Sequence, residues 1–360
     1  MPKPFISLFV IALVAATLVA CGDDNGGTST APAGTSATNA SPAAAASPTS
    51  SAGPTDVVAA KKSPASLAGD DPAWTGVATT TLKTEVIKES KAKAPVDVKM
   101  QAVYSDTDVW FRFQWADATN NNLPNQWAFD GTKFSSVANV SDRLGIYWQI
   151  TPVVEFEARG CLANCHKGDN QPIEKWFMIA PNANDLFDLW QWTAASSAPM
   201  GQVNDYSLKG AQSGDPTTAA YRESAIAADP GTGGTSSNTN ATADGPKAMR
   251  DPAKTTPVYG PNYLAVSESV ALDVTKLKAG DKISKTLLAP WVGDRADVES
   301  KTSWASGQYT VVFHRKLNTG NPDDAKLTAG GTFAFGLAVW DGVDQEEHTV
   351  TSSAYHLILK

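Results

Sequence analysis

Cys161 and Cys165 are separated by Leu162, Ala163 and Asn164, and His166 follows the second thiol directly. Two thiols closed by an adjacent imidazole are the arrangement that fixes a c-type haem. The sulfurs add to the two vinyl groups, and the next side chain falls under the iron. The usual spacing places two residues between the cysteines, and here there are three. Two plainer chemistries use the same residues. In an exported chain the pair can close a disulfide across a tight loop. A zinc site would need further histidines or carboxylates to complete four ligands.

The compartment follows from the N-terminus. Lys3 precedes an apolar run from Phe5 to Val19, shorter than a comfortable membrane span, which ends in Leu18-Val19-Ala20-Cys21. The spacing predicts a signal peptide over residues 1–20 and lipidation of Cys21, anchoring the exported chain to a bacterial membrane that it faces from the periplasm or cell exterior. An ordinary secretory signal would change the anchor but not the export. Residues 21–70 are rich in Ala, Ser, Thr, Gly and Pro, which predicts a disordered tether. With three cysteines in the chain, lipidation of Cys21 leaves only Cys161 and Cys165.

Charge and motifs narrow the function. A formal net charge of -8 argues against nucleic acid as a partner. No Gly-rich phosphate loop, nucleophile elbow or metalloprotease helix motif occurs, and the carboxylates are scattered. The expectation is an electron carrier, not an enzyme.

The elements that must position this chemistry read as strands. Val96, Val98, Met100, Ala102 and Tyr104 alternate onto one face. After the Ser105-Asp106-Thr107-Asp108 turn, Val109, Phe111, Phe113 and Trp115 do the same, which predicts a hairpin. Arg143–Ile150, Tyr309–Leu317, Phe333–Val339 and Ala354–Leu359 supply further strands, and a helical turn is expected around Asn184–Trp192. The stretch of about 210–261 has few apolar anchors and reads as a long irregular excursion. The fold class expected is all-β: one antiparallel β-sandwich over residues 71–360, with long loop insertions and little helix.

The order of several segments resembles a known family. They are Ala102-Val103-Tyr104, Trp110-Phe111-Arg112-Phe113-Gln114-Trp115-Ala116-Asp117, Ser141-Asp142-Arg143-Leu144, Asp188-Leu189-Trp190-Gln191-Trp192, Val311 to Leu317, and Phe335 to Gly342. Together they resemble the haem-binding domain of ethylbenzene dehydrogenase and related type II dimethyl-sulfoxide-reductase-like molybdenum enzymes. The resemblance implies a β-sandwich with haem at one end. Enzyme subunits of the family hold haem b through a methionine and a lysine. Here the segment before Asp188 carries Cys161-Leu162-Ala163-Asn164-Cys165-His166, so the chain resembles a branch carrying one covalent haem c.

On that resemblance His166 is the proximal iron ligand, and His348 lies near the place of the family's lysine as distal ligand. Met178, Met200 and Met249 are the alternatives. His314 is expected to be structural and His356 exposed. Arg143 and Lys175 are candidates to pair with haem propionates. Trp127, Trp148, Trp176, Trp190 and Trp192 are expected mainly to pack. The function expected is an electron-transfer cytochrome serving redox partner proteins in the periplasm or at the cell surface. The alternatives are a haem subunit of a periplasmic molybdenum oxidoreductase, or a ligand-binding sandwich with a Cys161–Cys165 disulfide.

Overall fold

A computed structural model describes residues 53–87, 94–164, 178–210, 225–343 and 348–360. Residues 51–360 form one compact unit. Its main sheet bends so that two halves face each other. One half runs Ile226–Ala228, Asn204–Lys209, Leu186–Thr193, Arg143–Gln149, Thr332–Trp340 and Tyr355–Leu359 in spatial order. The other runs Asp97–Tyr104, Asp108–Ala116, Gln308–Lys316 and Glu299–Ala305.

The hairpin forms where alternation predicts it. Met100 pairs with Phe113 and Ala102 with Phe111, and Ser105 N–H donates to the Asp108 carbonyl at 2.8 Å across the turn. Val98, Met100, Ala102, Val109, Phe111, Phe113 and Trp115 all enter the core. They meet aromatics from the opposite half: Phe111 lies 5.6 Å from Trp148 and 5.9 Å from Trp190, and Trp115 lies 6.1 Å from Trp192. Each fully buried large apolar side chain contributes on the order of 2–3 kcal/mol relative to exposure. This aromatic layer is therefore the main attraction between the halves, and the fold is the all-β sandwich expected, built mostly of antiparallel pairs.

Three expectations change. Asp56–Lys61 lies inside the stretch read as tether, yet it is a strand. It pairs in parallel with Tyr355–Leu359 on one side and with Asp97–Tyr104 on the other, joining the two halves. Alternating burial of Val57 and Ala59 accounts for it. Leu186–Thr193 is a strand and not a helical turn. Its inward face carries Asp188, and this polar residue at a core position breaks the period-two signal. The excursion is also ordered in part. Ile226–Ala228 extends the main sheet, Gly231–Ser237 pairs with Thr286–Gly293, and Ala248–Arg250 pairs with Ser269–Ala271.

Candidate functional site

The strand Thr332–Trp340 has two working faces. Phe335, Leu337 and Val339 point into the sandwich core. Ala334, Ala338 and Trp340 belong to a second apolar cluster on the outer face, and Gly336 alternates with them there. The small side chains leave a lane along which another segment approaches the backbone closely.

Cys161 occupies that lane. A short helix, Val154–Arg159, ends at Gly160 with φ of 51°, a conformation that favours glycine. A Cβ there would also lie 2.8 Å from the Ser353 carbonyl oxygen. The chain then makes a single turn, Gly160–Ala163, that carries Cys161. The thiol is buried and, among the described residues, forms no disulfide. A Cβ added at Gly336 would lie 2.6 Å from Cys161 Sγ and 3.2 Å from its amide nitrogen. Only glycine at 336 seats the thiol against the sheet. Phe156, Val153, Ile179, Phe187 and Tyr147 complete the apolar surroundings.

His348 borders the same cluster. Its ring lies 4.5 Å from that of Trp340, tilted by 31°, and Trp340 is a member of the outer cluster. The turn leading out of this strand is fixed by Asp142, which accepts from Gly342 N–H at 2.8 Å, from Asn121 N–H at 2.8 Å and from Tyr309 O–H at 2.8 Å. Burial pushes the Asp142 carboxyl up to about 6, against the pull of these donors. Arg143, next in sequence, is the cross-strand partner of Trp340.

Met178 also packs against the outer cluster. The other two methionines lie elsewhere. Met200 ends the four-residue helix Ser197–Met200. Met249 belongs to a separate cluster with Trp127, Leu264, Ile283 and Leu287, and its sulfur accepts from Asp273 N–H at 3.4 Å. Cys21, Cys165, His166, Lys175 and Trp176 lie outside the described residues.

The remaining candidates have structural partners. His314 sits between Glu299 at 3.0 Å and Asp108 at 3.1 Å and stacks on Trp110. His356 is half-buried, not exposed as expected, because Glu157 at 2.8 Å and Asp56 at 3.7 Å flank its ring. Trp148, Trp190 and Trp192 are core residues of the sandwich.

The structure therefore gathers Cys161, Met178, Trp340 and His348 around one apolar layer outside the sandwich core. A buried thiol, apolar walls and an imidazole or thioether at the margin meet in this layer. The close approach of Cys161 to Gly336 had no sequence signal, because the two come from distant segments. The sequence reading also missed a set of buried carboxylates, Asp188, Asp205, Asp229 and Asp324, around Arg315. An aspartate inside the aromatic run Phe187 to Trp192 is the one sequence signal that could have pointed to it.

Residues 71–352 match the family model described as ethylbenzene dehydrogenase. No curated protein sequence matches the chain. Among solved structures, similarity is found to a carbohydrate binding module family 9 from Caldicellulosiruptor kristjanssonii in complex with glucose. Identity is 11%, the TM-score is 0.33, and the match covers 85% of this chain and 95% of that one. The same module in complex with cellotriose matches with 11% identity and a TM-score of 0.33, covering 85% and 93%.

Proposed function

We propose that this chain, which belongs to the ethylbenzene dehydrogenase family, is an exported, lipid-anchored electron carrier holding one haem c. The observation that carries the reading is the seating of Cys161 on Gly336 within an apolar layer that Met178 and the Trp340–His348 pair also border. In this reading Cys161 and Cys165 would hold the group through thioethers, and His166 and His348 would serve as its iron ligands. When bound, haem supplies a one-electron iron couple.

The protein's own part is positional and electrostatic. Phe156, Phe187 and Val153 exclude water from the layer, which lowers the local dielectric and favours the less charged iron state. Contact with Trp340 restrains the His348 ring, and Asp142 holds the turn that follows the strand carrying Trp340. Arg143, on the same sheet face as Trp340, supplies positive charge for a propionate. Cys21 is the lipid attachment point, with redox proteins of the periplasm or cell surface as partners.

The test is a visible absorption spectrum and an intact mass of the protein purified from cells that mature c-type cytochromes. A mass increased by one haem that survives acid-acetone extraction is expected. A polypeptide mass lacking haem, with Cys161 and Cys165 oxidised to a disulfide, would overturn the proposal. Family membership favours a second reading, a haem subunit of a periplasmic molybdenum oxidoreductase. Co-purification of a large molybdenum-containing subunit distinguishes it from a free carrier.

A further inference from the structure

At one edge of the sandwich the inner face turns acidic. Asp188 and Asp205 lie on neighbouring antiparallel strands, where Trp190 pairs with Asp205 and Asp188 with Ser207, so both carboxylates point inward. Asp229 follows the next strand and donates its backbone N–H to the Asp205 carbonyl at 3.2 Å. Asp324 arrives from the facing half, in the segment after the strand Gln308–Lys316. One carboxylate oxygen from each of Asp188, Asp205 and Asp324 lies within 4.8 Å of the others, and Asp229 forms an overlapping trio with Asp323 and Asp324. Asp188 and Asp205 are 0% exposed, and Asp229 and Asp324 are each 4% exposed.

Arg315 is the cation in this group, and its donors are committed. Nη1 donates to Asp188 Oδ2 at 2.9 Å, Nη2 to the Ala325 carbonyl at 2.9 Å and Nε to the Lys316 carbonyl at 3.1 Å. Four ionised carboxylates against one guanidinium leave three negative charges uncompensated. Buried charge of that size is not tolerated without a counterion or protons.

A second observation is independent of the clustering. Both oxygens of Asp205, both of Asp229, Oδ1 of Asp188 and Oδ1 of Asp324 are buried and accept no hydrogen bond. Most buried carboxylate oxygens in folded proteins find a donor. Two trios joined at Asp324, with six orphaned oxygens among Asp188, Asp205, Asp229 and Asp324, offer the all-oxygen chemistry of a hard divalent cation. Calcium takes six to eight oxygens in flexible geometry, whereas magnesium prefers a smaller octahedron and retains water. A separate acidic trio, Asp117, Asp142 and Asp341, has a single orphaned buried oxygen, Asp117 Oδ2, because Asp142 is supplied by Tyr309, Asn121 and Gly342.

We propose that Asp188, Asp205, Asp229 and Asp324 form a calcium site that ties the two halves of the sandwich together at this edge. The cation takes the side of the cluster away from Arg315, which keeps its contact with Asp188 Oδ2. The rival occupant is protons, since burial and mutual repulsion raise Asp205 well above the carboxylate range and Asp229 to about 8. The Asp324 carboxyl also lies near enough to Asp229 to share one.

The full chain, stripped with chelator and dialysed, is titrated with calcium by calorimetry and melted with and without it. One bound calcium per chain is expected. At about 100-fold excess over Kd the melting temperature should rise by about 5 °C or more, and magnesium at equal concentration should have a smaller effect. Asp205→Asn should melt in chelator at or above the wild-type temperature, because it removes like-charge repulsion, and should lose the calcium response. Asp106→Asn, an exposed carboxylate paired with Lys61, should retain it. Terbium luminescence excited through tryptophan gives a second readout, with Trp190 facing Asp205, and should vanish in Asp205→Asn and in Asp324→Asn. Absence of calcium binding and of any melting shift in the wild-type chain would overturn the site in favour of proton sharing. An equal response to magnesium would overturn its assignment to calcium.

Discussion

Arg315 and Asp188 meet at 2.9 Å with both side chains fully buried, one from each half of the sandwich. The guanidinium also lies over the Trp190 ring, 5.0 Å from its centroid. An ion pair so placed fixes the relative position of the two halves, since sliding either would separate two charges in a low dielectric.

Replacing Arg315 with Leu removes the positive charge and leaves the carboxylates facing one another. Chemical denaturation is expected to show a loss of about 3–5 kcal/mol. Adding Asp188→Leu should restore part of it, because the double change removes the stranded charge. A double variant less stable than Arg315→Leu alone would contradict the assignment.

Gly336→Ala tests the seating of the thiol. The added Cβ would meet Cys161 Sγ and backbone in a packed layer, and overpacking of this kind costs about 1–3 kcal/mol. The haem content of the purified protein should fall with it. Gly336→Ala combined with Cys161→Ala should cost less stability than the sum of the single changes, since the closest clash is with the sulfur.

The distal ligand is tested through the spin state of the ferric haem. Low-spin absorption without the weak long-wavelength sulfur-to-iron band is expected for the wild type. His348→Ala should become high-spin and bind small exogenous ligands. His314→Ala and His356→Ala should leave the spectrum intact, as both rings are held by carboxylates. If His348→Ala stays low-spin while Met178→Ala turns high-spin, the axial pair is His/Met.

Cys21→Ser should release the protein from the membrane fraction or block processing of residues 1–20. Fractionation followed by immunodetection reads the outcome, and unchanged membrane association would count against lipidation.

Asp142 gives a pH dependence with a defined sign. Its native carboxyl titrates at about 6, above the ordinary 3.8, through burial. Between these values the folded chain holds a proton that the unfolded chain has lost, so this group's contribution to stability falls as pH rises and is gone above about 6. Denaturant midpoints measured from pH 4 to pH 7 should show this decline flattened in Asp142→Asn.

Much of the scaffold was legible in sequence because its strands bury one face cleanly. Val98 to Tyr104 and Val109 to Trp115 alternate without interruption, and they form the hairpin expected. Legibility failed where a polar group faces inward or an apolar run is short. Asp188 disguised the strand Leu186–Thr193, and Val57 with Ala59 was too slight a signal within an Ala- and Ser-rich stretch. For the candidate site, the spacing of Cys161, Cys165 and His166 named a chemistry, but spacing could not supply Gly336 or Trp340. Nor could it reveal the four aspartates around Arg315, since each comes from a different segment and only the folded topology brings them together.

The strand Asp56–Lys61 lies between Tyr355–Leu359 and Asp97–Tyr104, parallel to both. It is also the first strand of the described chain, so any tension on the segment before it enters the fold here. A pull along the strand axis loads its hydrogen bonds in shear, all at once, whereas a hairpin strand pulled from its end would unzip bond by bond. Under the proposed N-terminal tether, load would therefore enter the fold in shear at this strand.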